Sequence, residues 1–127
     1  MPLIELRNIS KLYGEGESRV SALDNVSLTV NRGEFVAIAG ASGSGKSTLM
    51  NLLGCLDVQT SGDYFLDGTS VRELGEKKLS QIRNKEIGFI FQSFNLIPAL
   101  TARENVELPL MYRGMSKNVR SELAAHA

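Results

Sequence analysis

The sequence is poor in cysteine, it lacks tryptophan, and its charges cancel. Cys55 is the only cysteine, so an internal disulfide is excluded, and this usage suits a reducing compartment. The 14 basic and 14 acidic side chains give a formal net charge of zero. A chain without excess positive charge is a poor binder of phosphate backbones, and we therefore expect no nucleic-acid partner.

Long hydrophobic runs are also missing. The amino terminus, MPLIELRNIS, has no basic region followed by an apolar run and is therefore not a secretory signal. Apolar stretches such as FVAIAGA at 35–41 are far shorter than the roughly 20 residues that cross a bilayer. We expect a soluble chain, long enough for one domain, that would reach a membrane only through a partner.

Two kinds of strand are predicted from the hydrophobic pattern. Residues 4–7 and 26–30 alternate between apolar and polar, which is typical of antiparallel strands with one solvated face. FVAIA at 35–39 and IGFIF at 87–91 are apolar on both faces, which favours buried parallel strands. DYFLDG at 63–68 reads as a short strand closed by a turn.

Helices are predicted between and after these strands. One begins near Lys46 and buries a stripe of leucines, with Cys55 as a small buried side chain on it. The stripe consists of Leu49, Leu52, Leu53 and Leu56. A polar helix is expected around 79–85. Thr101 and Glu104 form a capping-box pattern, Pro109 should kink or end the helix that they open, and Ser116 should cap another.

The stretch GASGSGKST at 40–48 contains the pattern G-x-x-x-x-G-K-[ST] without deviation. Glycines allow successive backbone amides to point inward as an anion-binding nest, and the following helix adds its own amino-terminal N–H groups. Lys46 would reach the β- and γ-phosphates, and the Ser47 hydroxyl would ligate Mg²⁺. We predict a nucleoside triphosphate site. Its residues are Gly40, Ala41, Ser42, Gly43, Ser44, Gly45, Lys46, Ser47 and Thr48.

Several stretches together resemble the ATP-binding subunits of ABC transporters. They are ISKLYG, LDNVSLTVNRGEFVAIAG, the loop itself, GCLDVQTSGDYFLDG and IGFIFQSFNLIPALTARENVELPL. The last two stretches look most like the lipoprotein-release and macrolide-export subgroup. The resemblance covers nearly the whole chain.

The resemblance assigns roles to residues outside the loop. It implies that Tyr13 stacks on adenine, and Tyr13→Phe should then leave nucleotide binding nearly unchanged. The alternative is a core or turn tyrosine. It implies that Gln92 ligates Mg²⁺ or orients the attacking water, where the alternative is an exposed loop amide. SFNLIPAL at 93–100 would form part of a groove for a helix of a membrane partner, or it would fold back on its own core.

The fold implied by the resemblance is α/β, a P-loop NTPase of the ABC ATPase type with an antiparallel β subdomain. Residues 1–91 would hold that subdomain and the phosphate-loop core, and residues 92–127 the glutamine loop and the start of a helical subdomain. The implied ligands are ATP and Mg²⁺. The implied partners are a second copy of the subunit, in a head-to-tail dimer, and membrane-spanning permease subunits. The implied location is the cytoplasmic face of the cell membrane.

Several parts of a complete ABC ATPase are not in the sequence. No apolar run ending in Asp and Glu, the Walker B strand, follows Gln92, and the Leu-Ser-Gly-Gly-Gln segment is absent. His126, the only histidine, lies one residue from the end, so the switch histidine is absent too. The chain therefore looks like the amino-terminal part of such an ATPase, truncated within the helical subdomain, and we expect it to be inactive alone.

Two other functions stay open from the sequence. One is a nucleotide-binding fragment without turnover, which describes the chain as it stands. The other is a different P-loop enzyme such as a small-molecule kinase. A kinase normally places its loop after the first strand and carries a lid with arginines. Here several strands precede the loop, and Arg103, Arg113 and Arg120 are too dispersed to form a lid.

Overall fold

The alternating segments of the amino-terminal half form an antiparallel sheet. The computed structural model describes every residue from Met1 to Ala127. The four strands lie in the order β2-β1-β3-β4, and all neighbours are antiparallel. Their bounds are Ile4–Tyr13 for β1, Val20–Val30 for β2, Ser61–Leu66 for β3 and Thr69–Ser70 for β4. The predicted strands at 4–7, 26–30 and 63–68 are thus confirmed, with the last beginning slightly earlier and ending at Leu66.

The turn between β3 and β4 follows directly from its two residues. Leu66 pairs with Thr69, so Asp67 and Gly68 alone make the connection. Both have positive φ, 48° and 75°. This is the conformation of the two-residue hairpin turn for which Asp-Gly is a preferred sequence.

A β-bulge interrupts β1 at Asn8. Leu6 pairs with Leu28 and Ile9 with Val26, so three steps along β1 match two along β2. Asn8 has φ of 50°, and its N–H donates to the Ser27 hydroxyl at 3.0 Å in place of a strand partner. Because an extra residue reverses the side-chain alternation, the buried positions move from Leu6 to Ile9 and Lys11.

Helix α1, Lys46–Leu53, packs on the sheet and contributes two leucines to the core. Leu49 and Leu52 are buried, and the Tyr64 hydroxyl donates to the Leu53 carbonyl at 2.9 Å. The buried apolar residues are Leu6, Ile9, Leu23, Leu49, Leu52, Cys55, Tyr64, Val71 and Leu79. All of them belong to one unit, Met1–Ser80, of the two into which the chain divides.

The predicted helix from Lys46 is shorter than its leucine stripe. Leu56 N–H donates to the Asn51 carbonyl and Cys55 N–H to the Leu52 carbonyl, which is the Schellman pattern at a helix carboxyl end. Cys55 has φ of 53°, the left-handed conformation of that motif. Cys55 is buried as expected, but it lies after the helix, and Leu56 is half-exposed.

The other unit, Gln81–Ala127, is helical and has no buried side chain. Helix α2, Glu76–Lys85, leads into it, followed by α3, Ala102–Tyr112, and α4, Lys117–His126. The capping box at Thr101 is confirmed, with Glu104 N–H donating to the Thr101 hydroxyl and Thr101 N–H to the Glu104 carboxylate. Ser116 is the N-cap residue of α4, without a side-chain bond.

Pro109 does not end α3, which continues to Tyr112. The Pro109 carbonyl still accepts from Arg113 N–H at 3.2 Å and from the Asn84 side-chain amide at 2.9 Å. Proline contributes no N–H to the helix ladder, and its ring crowds the carbonyl four residues earlier. Pro109 lies in the last turn of α3, and only three helical residues follow it.

The two doubly apolar segments are not paired strands. Neither 35–39 nor 87–91 belongs to the sheet, and the Phe35 and Ile90 side chains are 96% and 98% exposed. A strand exists only where a neighbour accepts and donates its backbone hydrogen bonds, and none of the four strands does so for these segments. The expectation of buried parallel strands within this chain is therefore wrong.

None of the helices combines the length and the apolar character that a bilayer crossing requires.

The capping of α3 and α4 allows a matched test of helix stability. Thr101→Ala should lower the stability of α3 by about 1 kcal/mol, because it removes the acceptor for Glu104 N–H. Ser116→Ala should cost less, since the Ser116 side chain makes no such bond. Amide hydrogen exchange of α3 and α4 would measure both changes. Equal losses in the two helices would contradict the role of the capping box.

Candidate nucleotide-binding site

The glycine loop turns by left-handed backbone at two of its glycines. Gly43 and Gly45 have φ of 77° and 91°. Gly45 is also the N-cap residue of α1, and a Cβ there would lie 2.3 Å from the Ala22 carbonyl oxygen of β2. Gly45 therefore serves two needs at once, a conformation that other residues avoid and a close approach of the loop to the sheet.

The Lys46 ammonium lies across the loop. Its Nζ donates to the carbonyl oxygens of Gly40 and Ala41 at 2.7 and 2.5 Å, and to the Ser44 hydroxyl at 3.2 Å. All three acceptors belong to the loop itself. The sequence-predicted lysine is therefore held where the loop closes around it.

The amino terminus of α1 keeps donors available for an anion. Its N-cap residue is a glycine, and no side chain caps the helix. The first N–H groups of a helix have no partner within it, and their partial positive charge attracts phosphate. Ser47 is exposed in this first turn, so its hydroxyl can reach a ligand. The loop, Lys46 and Ser47 thus fit a phosphate group with an accompanying hard cation.

Tyr13 stands at the end of β1, near this helix. Its hydroxyl donates to Asp57 Oδ2 at 2.7 Å, and the residue is 41% exposed. The bond to the Asp57 carboxylate is the main cause that raises the pKa of the phenol, and the Thr48 hydroxyl acts on it in the opposite direction. The structure therefore brings Tyr13 close to Thr48 of the predicted phosphate-binding segment.

Lys11 and Asp57 complete the surroundings of Tyr13. Lys11 Nζ donates to Asp57 Oδ1 at 2.8 Å and to the Val58 carbonyl at 2.6 Å, and it lies 4.9 Å from the centroid of the Tyr13 ring. Burial acts to raise the pKa of Asp57, but hydrogen bonds from Lys11, Tyr13 and Val58 N–H outweigh it and leave the pKa below its ordinary value.

Neither Lys11 nor Asp57 was predicted from the sequence. A lysine at a strand position and an aspartate after a helix carry no local signal of a shared site. The bulge at Asn8 turns Lys11 inward, and the Schellman turn at Cys55 delivers Asp57 to it. Both are consequences of the folded backbone.

Gln92 and the apolar loop belong to the Gln81–Ala127 unit. Gln92 is exposed, and so are Phe94 and Leu96, at 90% and 60%. The loop is held by Asn105, which accepts from Ile97 N–H at 2.8 Å and donates to the Thr101 carbonyl at 2.9 Å. The alternative in which these apolar residues fold back on their own core does not describe Phe94 or Leu96. Asn105 is a further residue that sequence reasoning missed.

Comparison with known proteins connects this geometry to one family. The family model for the ABC transporter matches residues 23–127. The MacB macrolide export ATP-binding/permease protein of Hyphomonas neptunium is 54% identical over 98% of this chain. The ABC transporter ATP-binding protein YknY of Bacillus subtilis is 47% identical over 98% of this chain. The chain spans 19% of the length of that MacB protein and 54% of YknY.

Solved structures agree with the sequence comparison. The ATP-binding cassette MJ0796, in a dimeric post-hydrolysis state bound to ADP and Pi, is 48% identical and superposes with a TM-score of 0.88. The match covers 97% of this chain and 54% of that one. The predicted fold class is thereby confirmed, and the alternative of a small-molecule kinase loses its support.

The contact between Gly45 and β2 gives a test of the loop. Gly45→Ala should destabilise the protein by more than the roughly 1–2 kcal/mol of a left-handed alanine, because its Cβ would also overlap the Ala22 oxygen. Gly43→Ala is the matched control, since it shares the positive φ but meets nothing within 4 Å. Urea denaturation of both variants would measure the difference, and equal losses would contradict the close approach.

Proposed function

Because the chain belongs to the ABC transporter family of ATP-binding proteins, we propose that it is the ATP-binding part of an exporter, in which ATP binding and hydrolysis drive membrane subunits. The observation that carries this proposal is the loop around Lys46, with its ammonium inside and an uncapped helix amino terminus beside it. The MacB relative, which is named for macrolide export, supports the export direction.

Different residues of the site bind the phosphates, the metal ion and the base of the nucleotide. The amides of the loop and of the first turn of α1 bind the phosphates, and Lys46 neutralises the β- and γ-phosphates. The Ser47 hydroxyl supplies an oxygen ligand for Mg²⁺, which when bound neutralises charge on the phosphate oxygens. For Gln92, a role as Mg²⁺ ligand or in orienting the attacking water stays a prediction from the family resemblance. Tyr13 stacks on the adenine, an interaction of roughly 1–3 kcal/mol.

The partners follow from the family. A second ATP-binding subunit would face the first head to tail, and the dimeric structure of MJ0796 supports a pair of such subunits. Permease subunits would hold the pair at the cytoplasmic face of the membrane, and relatives named ATP-binding/permease proteins support this arrangement. The exposed Phe94 and Leu96 suit the groove that receives a helix of the permease.

The same proposal assigns residues 1–91 to the β subdomain and phosphate-loop core, and residues 92–127 to the glutamine loop and the start of the helical subdomain. The segments 35–39 and 87–91 would be strands of the central sheet of the family domain, pairing with neighbours outside these 127 residues. Phe89 and Phe91 are consistent with this, because their ring centroids lie 4.6 Å apart, as for side chains on one face of an extended segment. While the segments 35–39 and 87–91 have no strand neighbours, their exposed apolar surface favours aggregation.

Lys46→Ala should abolish triphosphate binding. The substitution removes the only cation of the loop and keeps a good helix former at the first position of α1. Isothermal titration with Mg-ATP would measure the loss. Lys85→Ala, at the end of α2, is the control and should bind as the wild type does. Unchanged affinity in Lys46→Ala would overturn the phosphate-loop assignment.

The 127-residue chain itself should not hydrolyse ATP. Phosphoryl transfer needs a positioned water and compensation of charge, and no Walker B carboxylates or facing Leu-Ser-Gly-Gly-Gln segment are present in these residues. A phosphate-release assay on the purified chain should therefore give the background rate, and binding should be weak. Turnover that persists after purification and is lost in Lys46→Ala would disprove this expectation.

A further inference from the structure

The Asp57 carboxylate uses both of its oxygens within one small cluster. Oδ1 accepts from Lys11 Nζ and from Val58 N–H, each at 2.8 Å, and Oδ2 accepts from the Tyr13 hydroxyl at 2.7 Å. The side chains of Lys11 and Asp57 are 11% and 27% exposed, so the pair is partly withdrawn from water. An ion pair in such a place is screened less than one on the surface.

Lys11 covers one side of the Tyr13 ring. Its ammonium lies 4.9 Å from the ring centroid, within the range of a cation–π contact. The phenol end of the ring is fixed by Asp57, and one side is occupied by the cation. Tyr13 as a whole residue is nevertheless 41% exposed, so part of its surface remains open to a flat ligand.

We propose that Asp57, with Lys11 as its counter-charge, is a positioning residue that holds the Tyr13 ring ready to stack on the base of the bound nucleotide. The inference rests on the proposed nucleotide-binding function and goes beyond it by assigning a role to residues outside the loop. An exposed tyrosine otherwise samples several rotamers, and ordering it on binding lowers affinity. The ion pair supplies that order before the ligand arrives.

An Asp57 anchor gives the Tyr13 hydroxyl a role in ATP binding. Stacking alone needs only the ring, so Tyr13→Phe would be nearly neutral. With Asp57 as the anchor, Tyr13→Phe loses the bond that fixes the ring, and it should weaken ATP binding about 3- to 10-fold, the range of one hydrogen bond. Asp57→Ala should have an effect of similar size.

The test compares Mg-ATP with inorganic tripolyphosphate, which has the phosphates but no base. Affinities for the 127-residue chain would be measured by titration followed by NMR. Asp57→Ala and Tyr13→Phe should each weaken ATP binding while leaving tripolyphosphate binding unchanged. In a Tyr13→Ala background, Asp57→Ala should have no further effect on ATP. Asp63→Ala, which removes an exposed carboxylate on β3, is the control and should change neither affinity.

The outcomes separate the inference from the function on which it rests. A wild-type chain that fails to bind tripolyphosphate would overturn the nucleotide-binding proposal and this inference with it. If tripolyphosphate binds and Asp57→Ala weakens both ligands equally, Asp57 is a structural residue and the inference is wrong. If Asp57→Ala does not fold, Tyr13→Phe decides alone, because it removes the same hydrogen bond and keeps the Lys11–Asp57 pair; a neutral result would overturn the inference.

Discussion

The packing of α1 on the antiparallel sheet is the constraint on which the site depends. At the carboxyl end of the helix, Leu52 is buried and the Leu53 carbonyl accepts from the Tyr64 hydroxyl. At the amino end, Gly45 lies so close to Ala22 that no side chain fits between them. The helix is thus fixed at both ends, and the glycine loop closes at its amino terminus, where no side chain caps the helix. The proposed phosphate site therefore lies where this packing places the uncapped amino terminus of α1.

The bulge at Asn8 changes both the neighbouring strand and the side chains that β1 buries. Gly62 of the neighbouring strand β3 has φ of 86°, and a Cβ at this position would lie 2.3 Å from the Asn8 carbonyl oxygen. Only glycine fits there, so β3 is adapted to the bulge. Beyond it, the buried side chains of β1 are Ile9 and Lys11 instead of the even-numbered positions that Leu6 would predict. A charged residue therefore reaches the Asp57 carboxylate and lies beside Tyr13.

The two apolar segments show the limit of a hydrophobic pattern. FVAIA and IGFIF have the composition of central strands, yet Phe35 and Ile90 are almost fully exposed. Burial of a strand requires hydrogen-bonding neighbours, which composition does not create. The chain covers 54% of the cassette that it resembles in structure.

The sequence by itself determined the features whose physics is local. The glycine loop needs positive φ at fixed positions, Thr101 and Glu104 satisfy each other across three residues, and Asp67-Gly68 selects one turn type. Tertiary structure decided what depends on residues that are distant in the chain. The Schellman turn ended α1 before Leu56, and the bulge brought Lys11 to Asp57, 46 positions away. No pattern within one element predicts such a contact, because it exists only when the sheet and the helix pack together.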